Sequence, residues 1–95
     1  MYNNMQFKEE LYAPDVPLSA EIYKLDGCKC YWIKFLELLP NGKKQFLTVR
    51  VIAELKEYSY NDIKKDILTK YFAEVMHKSE HSRIMRTIYQ AYKGV

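Results

Sequence analysis

Apolar and polar residues alternate between Pro17 and Ile52, and two turn signals divide this stretch into three segments. Asp26-Gly27 is typical of a two-residue hairpin loop because both positions tolerate positive φ, and Pro40-Asn41-Gly42 suits a three-residue loop. Alternation with a period of two predicts strands that each have one apolar face. We therefore predict a three-stranded antiparallel meander within residues 18–52.

The two loops, taken separately, place the same side chains of the middle strand on one face. The first loop opposes Tyr31 to Ile22, and the second opposes Tyr31 to Val51. A slip of one residue would move the apolar set to the other face, so the register is strongly specified. The predicted apolar face consists of Leu18, Ala20, Ile22, Tyr31, Ile33, Phe35, Leu47, Val49 and Val51.

Two helical patterns follow the sheet. Ser59 and Asp62 predict a capping box at the start of a helix over about residues 60–77. Ser79 followed by Glu80 predicts a second helix start, with Gly94 as its C-terminal stop. The apolar stripes at helical spacing are Ile63, Ile67, Leu68, Tyr71, Phe72, Val75 and Met76, and then Ile84, Met85, Ile88, Ala91 and Tyr92.

The predicted fold is α+β with the element order β-β-β-α-α, and both helices pack on the apolar sheet face. A further short helix is expected over residues 4–12. The length of 95 residues favours one domain, 1–95, which consists of an N-terminal segment (1–17), the meander (18–52) and the two helices (59–94).

Composition excludes several classes of protein. Apolar residues make up 48% of the chain and charged residues 28%, which is typical of a globular domain. No apolar run reaches the length of a membrane span, and the first ten residues lack the pattern of a secretory signal. Cys28 and Cys30 lie two positions apart, a spacing that strand geometry rarely allows to be bridged. We therefore expect a cytoplasmic protein with no membrane segment.

The histidines provide the candidate chemistry of the second half of the chain. Residues 77–81, His-Lys-Ser-Glu-His, match the H-x-x-E-H pattern of one class of zinc peptidases. That chemistry requires one continuous helix, whereas these residues lie where one predicted helix ends and the next begins. An alternative zinc site would use Cys28, Cys30, His77 and His81, although C-x-C is tighter than the usual ligand spacing.

No other motif in the sequence indicates catalysis. The chain has no nucleophile elbow, no phosphate-binding glycine loop and no dinucleotide fingerprint. We expect no metal, no cofactor and no enzymatic activity.

The sheet face opposite the apolar one combines aromatic and charged side chains. Aromatic anchors and arginine are enriched in interface hot spots. We therefore predict a partner-binding site that consists of Tyr23, Trp32, Lys34, Leu36, Phe46 and Arg50. In a first alternative, the N-terminal residues Met5, Phe7, Leu11 and Tyr12 fold back and cover this face. In a second, two copies of the chain associate through it as a homodimer.

These features predict a small protein-binding module or inhibitor without enzymatic activity. The chain is rich in Lys, Tyr and Ile and contains only three Gly. That bias is typical of AT-rich bacterial and phage genomes. From this background we expect a phage or mobile-element accessory protein that acts on a host nucleic-acid enzyme.

The alternative function is DNA binding. A three-stranded sheet followed by a helix resembles the arm-binding domains of phage and transposon integrases, which lay the sheet in the major groove. Residues 1–42 carry four lysines against six acids, whereas residues 43–95 carry eleven basic residues against six acids. The resemblance implies phosphate or base contacts by Lys34, Lys43, Lys44 and Arg50.

Overall fold

The computed structural model describes residues 5–93. Within its last helix, the side chains outside the described part are those of Ser82, Met85, Arg86, Tyr89, Gln90, Tyr92 and Lys93. The predicted stripe positions Met85 and Tyr92 and the predicted stop at Gly94 therefore lie outside what the structure describes.

The chain forms four strands and then a helical run. The strands are β1 (Met5–Tyr12), β2 (Leu18–Leu25), β3 (Cys30–Leu38) and β4 (Lys44–Ala53). The helical run comprises α1 (Tyr60–Asp66), a π-helical turn (Ile67–Tyr71), α2 (Phe72–Val75), a 3-10 turn (Met76–Lys78) and α3 (Glu80–Lys93).

The α+β class is confirmed, but the predicted order β-β-β-α-α is wrong. The sheet has four antiparallel strands in the order β1-β2-β3-β4, and a single helical run follows it. The residues predicted as an N-terminal helix form β1. A bulge at Lys8, between Phe7 and Glu9, interrupts the two-residue period that would have identified a strand. The described residues therefore do not adopt the three-stranded architecture on which the likeness to integrase arm-binding domains depended.

The β2–β3 hairpin keeps the predicted face but has different strand partners. Gly27 has positive φ (81°) as expected, yet the turn spans residues 26–29 rather than two residues. Ile22 consequently pairs with Ile33 instead of Tyr31. This shift is two residues, and side chains alternate with a period of two, so the same side chains remain on the apolar face.

The β3–β4 hairpin has the predicted three-residue loop. The N–H of Leu39 donates to the carbonyl of Lys43 at 2.8 Å, and Gly42 has positive φ (85°). Leu36 pairs with Phe46, as the loop geometry predicts.

A bulge at Leu47 then reverses the alternation along β4. Beyond it, Val51 pairs with Trp32 on the face opposite the core. The prediction that Val49 and Val51 lie on the apolar face is wrong, because one extra residue moves every later side chain to the other side. Arg50 moves in the opposite sense, onto the face that the helices cover.

The helical run begins at the predicted capping box and packs on the apolar sheet face. The side chain of Ser59 accepts a hydrogen bond from the N–H of Asp62, and the Asp62 carboxylate accepts one from the N–H of Ser59. The buried core cluster consists of Leu18, Ala20, Ile22, Tyr31, Ile33, Phe35, Ile63, Ile67, Phe72 and Val75.

A π-helical turn changes which helix residues face this core. The N–H of Phe72 donates to the carbonyl of Ile67, five residues earlier, so these two side chains share one side of the helix. Leu68, which the predicted stripe includes, is exposed as a result.

The last helix, α3, begins after the extended residue Ser79, close to the predicted start. Its described side chains do not cover the apolar sheet face as expected. Among its described side chains none belongs to the core cluster, and Ile84 and Ile88 are 51% and 57% exposed. Within residues 5–93, no helix is long and apolar enough to cross a membrane.

Candidate functional site

The sheet face opposite the helices brings together most of the predicted binding residues. Side chains of cross-strand partners lie on the same face of a sheet. The pairing of Trp32 with Tyr23 and Val51, and of Leu36 with Ser19 and Phe46, defines two apolar rows across this face. We call it the open sheet face, and it includes the side chains of Phe7, Glu10, Tyr12, Ser19, Glu21, Tyr23, Trp32, Lys34, Leu36, Lys44, Phe46, Val49 and Val51.

The N-terminal residues extend the open sheet face rather than cover it. β1 pairs with β2 at the sheet edge, which places Phe7 beside Tyr23 and Tyr12 beside Ser19. The rings of Phe7 and Tyr23 meet edge to face with their centroids 5.6 Å apart. Phe7, Tyr12, Phe46 and Val51 are each 55–58% exposed. These four side chains lie in two rows of one sheet face, on either side of Glu10, Glu21 and Lys34. Several large apolar side chains exposed on one face mark an interaction site more often than a single exposed one does.

An ion pair across the open sheet face shows that the sheet is curled. Nζ of Lys44 on β4 lies 2.8 Å from Oε2 of Glu10 on β1. In a flat sheet these strands would lie about 14 Å apart, and the two residues would be offset by a further 13 Å or so along the strands. The two strands must therefore approach each other on this side, which makes the face concave at this end.

The curled end has a buried floor. Ser19 is fully buried and Leu36 is 5% exposed, although both belong to a face that carries no helix in the described part of the chain. Tyr12 and Phe46 flank this floor on the two outer strands, in register with Ser19 and Leu36. The open sheet face is therefore a shallow concave surface with aromatic side chains along its rim.

The charges of this face are largely neutralised within it. A hydrogen bond from Lys44 holds the pKa of Glu10 below its usual value, and the same contact raises the pKa of Lys44. Lys44 also lies 3.8 Å from Glu21, and Glu21 accepts a hydrogen bond from the Tyr23 hydroxyl at 2.8 Å. That hydrogen bond raises the pKa of Tyr23.

Lys34 is the charged side chain of the open sheet face that is not neutralised by an ion pair. Within residues 5–93 it forms no ion pair, although it faces Glu21 across the β2–β3 ladder.

Arg50 does not belong to this site. The bulge at Leu47 turns it toward the helices, where its guanidinium lies 3.0 Å from Glu74 and 5.3 Å from the centre of the Tyr71 ring. The structure thus brings together Tyr23, Trp32, Lys34, Leu36 and Phe46 of the predicted binding site and separates Arg50 from them.

The four residues of the nucleic-acid alternative do not form one basic patch. Lys44 is held by Glu10, and Arg50 faces the helices. Lys43 is exposed beside the β3–β4 loop, and Lys34 lies in the middle of the open sheet face.

The two halves of the alternative zinc site lie at opposite ends of β3. Cys30 begins that strand, whereas the N–H of His81 donates to Glu37 near its end at 2.8 Å. Seven residues of strand separate Cys30 from Glu37, about 23 Å. Cys28, Cys30, His77 and His81 therefore cannot ligate one ion. Ser79 is extended, so the H-x-x-E-H residues also do not share one continuous helix.

Sequence reasoning missed Phe7, Tyr12 and Val51 as members of the open sheet face. Val51 lies beyond the bulge at Leu47. Phe7 and Tyr12 lie in β1, which was predicted as a helix because the bulge at Lys8 interrupts its two-residue period. Phe7 and Tyr12 are marked in the sequence only as large apolar residues outside the predicted core, whereas the pattern predicts Val51 within that core.

Comparison with protein-family models, with curated proteins and with solved structures finds no match.

Proposed function

We propose that this protein is a non-enzymatic binding module or inhibitor whose open sheet face binds an apolar segment of another protein. The observation that carries the proposal is that Phe7, Tyr12, Phe46 and Val51, each more than half exposed, lie in the rows of Trp32 and Leu36 on one concave surface that no described helix covers. Burial of large aromatic side chains in a partner's pockets supplies most of the affinity of a typical interface.

The charges support a partner segment that is apolar but carries an acidic residue. Glu10 and Glu21 are already close to Lys44, so neither needs a cation from the partner. Lys34 is the charge of this face that a partner would have to match. We expect a carboxylate of the partner opposite Lys34, with apolar side chains in contact with the rows on either side. A host nucleic-acid enzyme remains the partner class that the composition favours.

Nucleic acid is the less favoured partner because its binding depends on many unpaired cations. Of the four basic residues considered for that role, Lys44 is paired with Glu10 and Arg50 with Glu74. A surface with few free cations releases few counterions and binds duplexes weakly.

The test compares capture of a partner by matched variants of the full chain. Trp32→Ala and Val51→Glu alter the open sheet face, and Lys34→Glu reverses its unmatched charge. Arg50→Ala is the control because Arg50 lies on the opposite face in the same strand as Val51. Leu68→Ala is a second control, since Leu68 is an exposed apolar residue of the helical run.

The expected result is that one partner is retained by the parent and both controls but lost by Trp32→Ala and Val51→Glu. Lys34→Glu should weaken its binding at least tenfold, and more strongly at low salt than at high salt. Equal retention by all five variants would refute a role for the open sheet face.

A salt titration with duplex and single-stranded DNA separates the two functions. We expect no micromolar binding at low salt. Micromolar binding that weakens steeply as salt rises and is lost with Lys34→Glu would replace the proposal with the nucleic-acid function.

A further inference from the structure

The last helix is amphipathic, and its apolar stripe is uncovered within the described part of the chain. From Arg83 onward, the described side chains of α3 are Arg83, Ile84, Thr87, Ile88 and Ala91, and each of them is exposed. Ile84, Ile88 and Ala91 follow the spacing of three and four residues that places side chains on one side of a helix. A helix of 14 residues is only marginally stable on its own, so a partner that covers this stripe would stabilise it.

A cavity lies at the start of the stripe. It has a volume of about 340 Å³ and is lined by the start of α3 and the base of the β3–β4 hairpin. Leu39 and Pro40 of the hairpin and Ile84 of the helix contribute apolar walls. A space of this size accepts a large apolar side chain. Because Ile84 belongs to both the cavity and the stripe, the two form one continuous apolar surface, which we call the α3 surface.

The net positive charge of the chain belongs to the segment that carries this surface. Residues 1–75 contain eleven basic and eleven acidic residues, whereas residues 76–95 contain four basic residues and one acid. The net charge of +3 therefore arises within the last part of the chain. Complementary charge favours association, so an acidic partner suits the α3 surface. A second copy would instead bring the same excess of positive charge against it.

The acidic residues that line the cavity are already engaged. Glu37 accepts hydrogen bonds from two N–H groups at the start of α3, at 2.7 and 2.8 Å, and Glu80 forms an ion pair with Arg83. Lys43, whose carbonyl accepts a hydrogen bond from the N–H of Leu39, is exposed beside the cavity. Among the described residues Lys43 forms no ion pair, and the Arg83 side chain is 67% exposed. Both cations are accessible to carboxylates of a partner.

A bilayer surface fits this arrangement less well than a protein does. Helices that lie in the membrane interface bury large side chains such as Trp, Phe and Leu. The described stripe of α3 consists of two isoleucines and an alanine. The cavity beside Ile84 is concave, and a flat surface leaves it unfilled, whereas a side chain that projects from a partner helix fills it.

We infer that the α3 surface binds an acidic amphipathic helix of a partner protein. Apolar side chains of that helix cover Ile84 and Ile88, and one of them fills the cavity. Its carboxylates lie opposite Arg83 and Lys43. The α3 surface shares none of these residues with the open sheet face, so this inference does not depend on the function proposed for that face.

The test measures the binding of two synthetic helices to the full chain by fluorescence anisotropy. Both peptides have about three heptads with leucine at positions a and d, and they carry either glutamate or lysine at positions e and g. We expect micromolar binding of the glutamate peptide and at least tenfold weaker binding of the lysine peptide. The difference should shrink as salt rises.

Matched variants locate the binding surface. Ile84→Ala/Ile88→Ala removes apolar area but favours the helix, because alanine has the highest helix propensity, and it should lower the affinity at least tenfold. Arg83→Glu should weaken binding of the glutamate peptide and strengthen binding of the lysine peptide. Leu68→Ala, at an exposed position elsewhere in the helical run, and Trp32→Ala, on the open sheet face, should bind as the parent does.

Equal affinity for the two peptides, or parental binding by Ile84→Ala/Ile88→Ala, would overturn the inference. Two further results would assign the α3 surface to a different occupant. Vesicles with anionic lipid that bind the parent more tightly than the glutamate peptide does, and fail to bind the alanine variant, would indicate a membrane. A dimer of the parent in sedimentation, absent from the same variant, would indicate a second copy of the chain.

Discussion

Lys44 and Glu10 form an ion pair of 2.8 Å between the fourth and the first strand, which lie at opposite edges of the sheet. The contact closes one end of the open sheet face over Ser19 and Leu36. It therefore couples the curvature of the sheet to the state of two ionisable side chains.

This coupling predicts a pH-dependent interaction between the two residues. The pKa of Glu10 is lowered in the folded state, so its contribution to stability is present above the unfolded value and is lost as pH falls through the folded one. The pKa of Lys44 is raised, so its contribution is present below the unfolded value and is lost as pH rises through the folded one. The interaction should therefore be complete between about pH 5 and pH 10.

A double-mutant cycle with Glu10→Gln and Lys44→Met measures it. Urea unfolding at neutral pH should show that the two effects are not additive, and the non-additivity should be small because Lys44 is partly exposed. The same cycle should approach additivity as pH falls through the lowered pKa of Glu10. Additive effects at neutral pH would mean that the ion pair does not stabilise the curled sheet.

Two phenylalanines test which face of the sheet is the core. Phe35 is fully buried, and its ring meets Phe72 edge to face with the centroids 5.8 Å apart, whereas Phe46 is 56% exposed. Phe35→Ala should lower the free energy of unfolding by about 3–5 kcal/mol. Phe46→Ala should change it by no more than about 0.5 kcal/mol. Similar losses in both variants, measured by chemical denaturation, would contradict the assignment of the two faces.

Glu37 anchors α3 to the sheet. This carboxylate is 2% exposed and accepts hydrogen bonds from the N–H groups of Glu80 and His81 at 2.7 and 2.8 Å. Glu37→Ala leaves two donors at the helix start without this acceptor, which should lower the free energy of unfolding by about 2 kcal/mol. Amide hydrogen exchange at Glu80 and His81 should accelerate.

Two further variants sharpen this test. Glu37→Gln keeps one acceptor oxygen and should fall between Glu37→Ala and the parent. Glu57→Ala removes an exposed glutamate from the turn before α1 and serves as the control. Parental exchange rates at Glu80 and His81 in Glu37→Ala would show that the carboxylate does not hold the helix.

One buried and two partly buried tyrosines predict a loss of stability in alkali. Burial raises the pKa of Tyr31 to about 12, with a further contribution from its hydrogen bond to Glu54. Burial also raises the pKa values of Tyr58 and Tyr60, which donate to Asp66 and Glu9. A raised folded pKa means that the stability is present below the unfolded value of about 10 and is lost as pH rises through the folded value.

Phenolate absorbance followed during an alkaline titration checks this expectation. These three phenols should ionise together with the loss of tertiary structure, after the exposed tyrosines have ionised. Tyr31→Phe should shift the alkaline transition to higher pH, because its ring stays buried without a group that must ionise. Complete ionisation below about pH 11 in a chain that remains folded would contradict the prediction.

Local signals explain what the sequence predicted correctly. The capping box needs only Ser59 and Asp62, and the β3–β4 loop needs only Pro40 and the positive φ of Gly42. The apolar face of β2 and β3 was predicted correctly although the predicted turn was too short. The pairing was wrong by two residues, and such an even shift leaves each side chain on the same face.

The remaining features depend on tertiary structure that no short window contains. The bulges at Lys8 and Leu47 have no side-chain signature, yet each changes which residues share a face. The acceptor at the start of α3 is Glu37, which is 43 residues from Glu80 in the chain. The π-helical turn at residues 67–71 likewise alters the helical period after the stripe has begun.

The bulge at Leu47 makes chain length, rather than residue identity, decide what each surface of β4 presents. Loss of the codon for Leu47 would remove the bulge and leave the partners beyond it unchanged. Gain of one codon between Leu47 and Thr48 would instead exchange the two sides of the strand, so that the guanidinium of Arg50 would lie beside Trp32 and Val51 would face the helices. A single insertion can therefore convert the apolar end of the open sheet face into a cationic one in one evolutionary step.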